Sequence, residues 1–109
     1  MKTSRPYSPL TREAARLLGI RIAAARRERR MTLSELAERV GATPQTVRKV
    51  ERGDPTVSLG VAFESAAVLG VPLFSPDDDR RRLEADLIEN RLAVLPKQVR
   101  RPRRVRDDF

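Results

Sequence analysis

Residues 32–53, TLSELAERVGATPQTVRKVERG, contain the pattern that decides the fold. Thr32 and, three positions later, Glu35 form a capping box, which predicts that a helix begins near residue 33. Gly41 predicts the end of that helix, because a left-handed backbone costs least for glycine. Apolar residues recur between these points at helical spacing, at Leu33, Leu36, Ala37 and Val40.

Thr43 and Pro44 predict a second helix, because threonine caps well and proline suits the first helical position. Val47 and Val50 form its narrow apolar stripe, and Gly53 ends it. The remaining side chains are predicted to point outward: Gln45, Thr46, Arg48, Lys49 and Arg52. A short basic helix behind a glycine turn is typical of the helix-turn-helix, which reads base edges and phosphates. The alternative is two ordinary helices of an all-α domain with solvated charge.

The amino-acid composition favours the helix-turn-helix interpretation over two ordinary helices. The 109 residues carry a formal net charge of +8, which favours a polyanionic partner, either nucleic acid or an anionic membrane face. The sequence has no cysteine and no histidine, and it has neither metal-spaced clusters nor a glycine-rich phosphate loop. We therefore expect no enzyme, no catalytic residue, no metal and no cofactor. No apolar run approaches the ~18 residues of a membrane span, so we expect a soluble, cytoplasmic protein.

The basic residues are unevenly spread along the chain. Residues 1–30 hold nine of them, residues 54–79 hold none, and residues 80–109 hold ten. A middle segment without positive charge is typical of a core or a protein interface. The two flanks are surfaces suited to phosphate.

The remaining pattern predicts four regions. Residues 1–10 are predicted to be a flexible basic arm, residues 11–75 the DNA-binding domain, residues 76–95 an additional helix, and residues 96–109 a basic disordered tail. In the first predicted helix, from Thr11 to about Arg30, the expected buried stripe is Ala14, Leu18, Ile22 and Ala25.

Two further helices are predicted after residue 53. One begins at Val57 or Ser58 and ends at Gly70, with an inward face of Leu59, Ala62, Phe63, Ala66 and Leu69. Residues 71–74, VPLF, are either an extended strand or a linker packed on the core. Ser75 and Pro76 predict the start of the last helix. Its apolar residues are expected on one side: Leu83, Leu87, Ile88, Leu92 and Leu95.

Arg26 falls next to the inward face of the first helix, where an unpaired charge is expensive. Glu51, near the end of the short basic helix, is its candidate partner. Two independent surface charges are the alternative.

These motifs resemble the Xre-type helix-turn-helix family of phage repressors and bacterial regulators. The resemblance covers residues 18–73 and rests on Arg26, the T-x-x-E-L-A of residues 32–37, the turn at Gly41 and the E-x-G of residues 51–53. The segments ERGDPTVSLG and LPKQVRRP resemble a narrower group, the HipB-like antitoxins, which are encoded with HipA-like serine/threonine kinase toxins.

The resemblance implies an all-α, five-helix, phage-repressor-like domain with flexible basic tails, which forms a homodimer on a double-stranded DNA operator with an inverted repeat. It also supports an Arg26–Glu51 ion pair. The implied base readers are Thr43, Pro44, Gln45, Thr46 and Lys49. The implied phosphate contacts are Thr32, Ser34, Arg48 and Arg52. Leu33 departs from many relatives, which have a polar residue at its position.

Two functions follow. The first is a sequence-specific repressor, in which Gln45 and Lys49 discriminate between bases. The second is an antitoxin whose main role is to bind and neutralise a HipA-like kinase through residues 71–109.

Overall fold

The computed structural model describes residues 6–99 and 101, and within them it contains five helices and no strand. They are α1 (Pro9–Glu28), α2 (Leu33–Val40), α3 (Pro44–Glu51), α4 (Leu59–Val68) and α5 (Asp78–Val94). The all-α, five-helix prediction is confirmed. The outer part of the predicted arm, residues 1–5, and most of the predicted tail, residue 100 and residues 102–109, lie outside the described residues. The chain divides into two compact units, Met1–Leu73 and Phe74–Phe109.

The first helix begins earlier than predicted. Ser8, not Thr11, is the N-cap of α1, and its hydroxyl accepts a hydrogen bond from the Thr11 backbone N–H at 3.3 Å. Pro9 occupies the first turn, where its missing N–H has no cost. Residues 9 and 10, predicted to belong to a flexible arm, are therefore helical.

The two short helices begin and end where the sequence predicts. Thr32 caps α2, and both hydrogen bonds of the capping box with Glu35 are present. Thr43 caps α3, with Pro44 in its first turn. Gly41 and Gly53 adopt left-handed backbone angles, with φ of 80° and 77°. Local sequence signals are enough here because the backbone groups at each end bond to residues close by in the sequence.

A small apolar core holds the first unit together. It contains Ile22, Leu36, Ala37, Val47, Val50, Ala62, Ala66, Leu69 and Val71. Two predictions for this core are wrong: Ala14 is exposed, and Leu59 is 68% exposed. Both residues line one open cleft together with Val57 and Phe63, which leaves them accessible to solvent. Leu18, Ala25 and Phe63 are partly buried rather than fully buried.

Two glycines let α1 lie directly against α3. A Cβ atom on Gly19 would lie 2.5 Å from the Val50 carbonyl oxygen and 2.6 Å from that of Glu51. A Cβ atom on Gly53 would lie 2.7 Å from the Cα of Arg16. All three separations are shorter than van der Waals contact permits. The close approach of the two helices therefore depends on the missing side chains.

Residues 71–74 are irregular rather than extended into a strand. Val71 is buried in the core and Leu73 packs partly against it, so the linker alternative is correct for this stretch. The second unit opens at Phe74, which is 85% exposed and has a left-handed φ of 66°.

The last helix differs from its prediction in two ways. Asp77, not Ser75, is the N-cap of α5, and its carboxylate accepts hydrogen bonds from the N–H groups of Asp79 and Arg80. With 3.6 residues per turn, Leu83 and Leu87 share one strip of α5. Ile88, Leu92 and Leu95 lie on a second strip roughly 100° around the helix, so the apolar residues do not form one side. All five side chains are exposed.

The close approach of α1 to α3 yields a stability prediction. Gly19→Ala should lower the free energy of unfolding by about 1–3 kcal/mol, since the new methyl group would overlap two backbone carbonyls. Gly60→Ala is the matched control, because Gly60 also lies in a helix but a Cβ atom there meets nothing within 4 Å. The control should gain up to about 1 kcal/mol from helix propensity. Urea denaturation measures both, and equal effects would contradict the packing explanation.

Candidate nucleic-acid interface

The exposed side of α3 carries polar and basic side chains. Gln45, Arg48, Lys49 and Arg52 are exposed, and we call these four residues the outer face of α3. The opposite side of the helix is buried through Val47 and Val50. Because these two valines fix the rotation of α3 about its axis, the four polar side chains are presented together to solvent.

The other three predicted base readers surround the start of α3, and two of them are less accessible. Thr43 is exposed, whereas Pro44 and Thr46 are partly buried. The hydroxyl oxygens of Thr43 and Thr46 lie 2.9 Å apart in a hydrogen bond, and the Thr46 backbone N–H donates to the Thr43 hydroxyl at 3.2 Å. These two side chains cap the helix. Thr46, which was predicted to point outward, is therefore only partly exposed.

The predicted phosphate contacts at the start of α2 have unequal freedom. Ser34 is exposed, but the exposed Thr32 is engaged in the capping box. Its backbone N–H donates to Glu35 Oε1 at 2.8 Å, and its hydroxyl accepts from the Glu35 N–H at 3.0 Å. These bonds to Thr32, the backbone one first, lower the pKa of the Glu35 carboxyl below its ordinary value. The carboxylate therefore stays ionised at the helix start.

The predicted pair of Arg26 and Glu51 is present and buried. Arg26 Nε donates to Glu51 Oε2 at 2.6 Å, and the NH2 group of Arg26 donates to Glu51 Oε1 at 3.0 Å. The side chains are only 11% and 9% exposed. The hydrogen bonds to Glu51 raise the pKa of Arg26 above its ordinary value, although burial opposes the rise. The guanidinium is therefore permanently charged, and its charge is balanced locally.

A third bond of Arg26 was not predicted. Its NH1 group donates to the Met31 carbonyl at 2.8 Å, which ties the turn between α1 and α2 to the same guanidinium. Every residue has a backbone carbonyl, so the sequence does not indicate which one accepts this hydrogen bond. Gly19 was also missed, although a glycine inside a helical pattern is a signal for close packing or function.

Residues 22–74, just under half of the chain, match the family model described as helix-turn-helix. These residues are similar to Xre-like helix-turn-helix domains. The match includes α2, α3 and α4, with α2 and α3 as the two helices of the motif. The family consists of DNA-binding transcription regulators, and the match supports the same general function for these residues. Neither the curated proteins nor the solved structures contain a match to the chain. No helix in the part of the chain that the structure describes is long and apolar enough to cross a bilayer.

The buried pair yields a second stability prediction for the helix-turn-helix domain. Glu51→Gln should lower the free energy of unfolding by about 3 kcal/mol, because it leaves the buried Arg26 without a counter-charge. A double-mutant cycle then uses urea denaturation of Arg26→Met, Glu51→Leu and the variant that carries both substitutions. The double variant should be more stable than the two single losses imply, since it leaves neither charge unpaired. Strict additivity of the two single losses would contradict a direct interaction.

Proposed function

We propose that the chain is a sequence-specific repressor, without enzymatic activity, that acts as a dimer on an inverted repeat of double-stranded DNA. The observation that supports this proposal is the outer face of α3, which exposes an amide and three cationic groups on the second helix of a helix-turn-helix domain. An eight-residue helix is about 12 Å long, which suits the major groove with its width of about 12 Å.

Gln45 and Lys49 are the proposed base discriminators. The Gln45 amide has both a donor and an acceptor and can bond an adenine edge at two atoms, whereas Lys49 can donate to the acceptors of guanine. Thr43, Pro44 and Thr46 are proposed to contact bases at the start of α3. Pro44 contributes only apolar contact, which suits a thymine methyl group.

Sequence-independent attraction is assigned to the phosphate contacts. Arg48 and Arg52 flank the base discriminators, and the hydroxyl of Ser34 and the capped end at Thr32 lie at the start of α2. Cationic contacts to phosphate release counterions, so this part of the affinity should fall steeply with salt. Phosphate contacts also fix the register in which α3 meets the bases.

The base-reading role of Gln45 can be tested directly. Gln45→Ala should relax the preference at one base position per half-site by about 1–3 kcal/mol, because it removes a two-point contact. Selection from a randomised duplex pool, followed by binding curves on single-base variants, measures the preference. Gln98→Ala is the control, since it removes the same amide from an exposed position outside the matched residues. If Gln45→Ala weakened binding equally to all sequences, Gln45 would not be a reader.

The homodimer is proposed to form through α5. Taken by itself, the unit Phe74–Phe109 leaves Ile88, Leu92 and Leu95 exposed on one strip of α5, which is typical of a surface that packs against another polypeptide. Two copies would present two outer faces of α3 and thereby read two half-sites.

The same exposed strip also supports a second candidate, the HipB-like antitoxin. In this proposal residues 71–109 bind a HipA-like serine/threonine kinase, and DNA binding serves autoregulation. The resemblance of residues 51–60 and 95–102 to that group supports it, although residue 100 and residue 102 lie outside the described residues. A gene for such a kinase beside this one would support it further.

One substitution that introduces a negative charge into the exposed apolar strip of α5 tests both proposed partners. Leu92→Glu should convert a dimer into a monomer in sedimentation equilibrium, because two carboxylates would have to be buried at the contact. Leu10→Glu is the control, because Leu10 is an exposed leucine on α1. If the unchanged chain is a monomer, the homodimer proposal is wrong. Retention of a co-expressed HipA-like kinase by the unchanged chain, with loss in Leu92→Glu, would then support the antitoxin.

A further inference from the structure

An apolar hollow lies at the start of α5. It has a volume of about 220 Å³ and is lined by five residues of the unit Phe74–Phe109: Phe74, Arg81, Glu84, Ala85 and Ile88. We call this hollow the Phe74 notch. The guanidinium of Arg81 donates to the Ser75 carbonyl and to the Asp78 carboxylate, so its charge is engaged at the start of the helix. The methylene stem of Arg81 is therefore left to line the notch beside the phenyl ring.

One strip of α5 has the residue spacing of a coiled coil. Its members follow one another at intervals of four, three, four and three residues: Arg81, Ala85, Ile88, Leu92 and Leu95. This is the alternation of d and a positions in a heptad, and all five side chains are exposed within their unit. The small Ala85 and the notch lie at the start of the strip, whereas the two leucines lie at its end. A surface with its hollow at one end and its bulk at the other is complementary to a second copy that runs in the opposite direction.

Four charged residues lie beside this strip. Arg82 and Glu89 occupy e positions of the heptad, and Glu84 and Arg91 occupy g positions. Within residues 6–99 and 101, the two glutamates and Arg91 form no salt bridge, and Arg82 forms one long bridge to Asp79, at 3.4 Å. These charges are therefore available to a second helix.

A parallel pair of α5 helices would oppose like charges. In that direction a g position meets the e position five residues further along the second helix, so Glu84 would face Glu89 of the second copy, twice per dimer. Asp77 would face Arg82, but the Asp77 carboxylate already accepts hydrogen bonds from two backbone N–H groups as the helix cap. The parallel direction therefore contains two repulsive contacts and gains little to offset them.

An antiparallel pair can place each of the four residues beside an opposite charge. In one alignment Glu84 faces Arg91 of the second copy, and the same alignment sets Arg82 opposite Glu89. Each pair occurs twice, because the dimer is symmetric. A shift by one heptad would instead set Glu89 against Glu89 and Arg91 against Arg91. Exposed ion pairs are individually weak, but four matched pairs together favour one direction and one register.

The same alignment also fills the notch. It sets Ala85 opposite Ile88 of the second copy. Leu92 then lies opposite Arg81, whose stem lines the Phe74 notch. Each copy therefore inserts a leucine into the hollow of the other, so the alignment favoured by charge also buries apolar surface.

We propose that α5 pairs with the α5 of a second copy as an antiparallel two-stranded coiled coil, in which the four flanking charges select the partner and Leu92 fills the Phe74 notch. This inference rests on the proposed homodimer and adds its direction, its register and the side chains that determine them. At 1.5 Å per residue, the two Asp78 residues at which the helices begin lie about 26 Å apart along the pair. A parallel pair would bring them side by side. The antiparallel separation is closer to the roughly 34 Å between half-sites one helical turn apart.

Introduced cysteines test the direction, since the chain has no cysteine of its own. Full-length Arg81→Cys and Leu92→Cys are mixed and oxidised, and the disulfide-linked dimers are weighed by mass spectrometry. The antiparallel pair should give mainly the disulfide between the two different variants. Two copies of the same variant would hold their cysteines about 16 Å apart along the pair, which is too far for a disulfide. A parallel pair would give only disulfides between identical chains.

Charge reversal tests the proposed selection of the partner. In sedimentation equilibrium at about 0.05 M salt, where surface charges are weakly screened, Glu84→Arg should weaken dimerisation about tenfold, and so should Arg91→Glu. An equimolar mixture of the two variants should regain the affinity, because each reversed residue then faces an opposite charge. Misfolded chains would not recover on mixing. Asp86→Arg is the matched control, since it makes the same change at an exposed b position of α5 and should alter the affinity less than twofold.

The outcomes separate this inference from the proposed function. Disulfides between identical chains, or tighter association of Glu84→Arg, would contradict the antiparallel pair and leave the homodimer standing. A monomeric unchanged chain would contradict both, whereas its binding to a DNA duplex is measured separately and can survive either result. Retention of a co-expressed HipA-like kinase by such a monomer, with loss in Glu84→Arg, would assign the strip to that protein and overturn self-pairing.

Discussion

The arrangement of the helix-turn-helix domain depends on one buried ion pair. Arg26 holds the end of α3 through Glu51 and holds the turn before α2 through the Met31 carbonyl. One guanidinium from α1 therefore fixes both helices of the motif. Its planar donors suit this task because they bind a carboxylate in two-point geometry and still reach a third acceptor. A lysine has a single ammonium centre and would not define these directions as sharply.

The small size of the apolar core explains why the domain needs the Arg26–Glu51 ion pair. The nine core residues include three alanines, and the largest side chains among them are leucine and isoleucine. An isolated helix of eight residues is unstable in water, so α3 depends on tertiary contacts for its existence. Gly19 and Gly53 shorten the distance between α1 and α3, which brings Glu51 within reach of Arg26. Close packing and the ion pair are thus two parts of one contact.

The sequence was most informative where structure is local. The caps of α2 and α3 and the turn glycines are decided by residues within one helical turn, and all were predicted. The start of α1 was missed because Pro9 was interpreted as part of a flexible arm, although Ser8 and Pro9 repeat the arrangement of Thr43 and Pro44. The cleft lined by Arg27, Arg48 and Arg52 could not be predicted, since it needs the relative placement of three helices. The roles of the base and phosphate residues stay predictions.

Burial separates two functions of the same residue type. Arg26 is enclosed, and its charge is balanced, so it organises the domain and contributes little net field. Arg27, its neighbour in sequence, is exposed beside Arg48 and Arg52, so its charge acts on the surroundings. Contacts to phosphate carry no base information, yet they set the position from which Gln45 and Lys49 meet the bases. A protein that placed its cations far from the reading side chains would gain attraction without register. Here both kinds of side chain share α3, so any shift of the backbone contacts must also shift the readers.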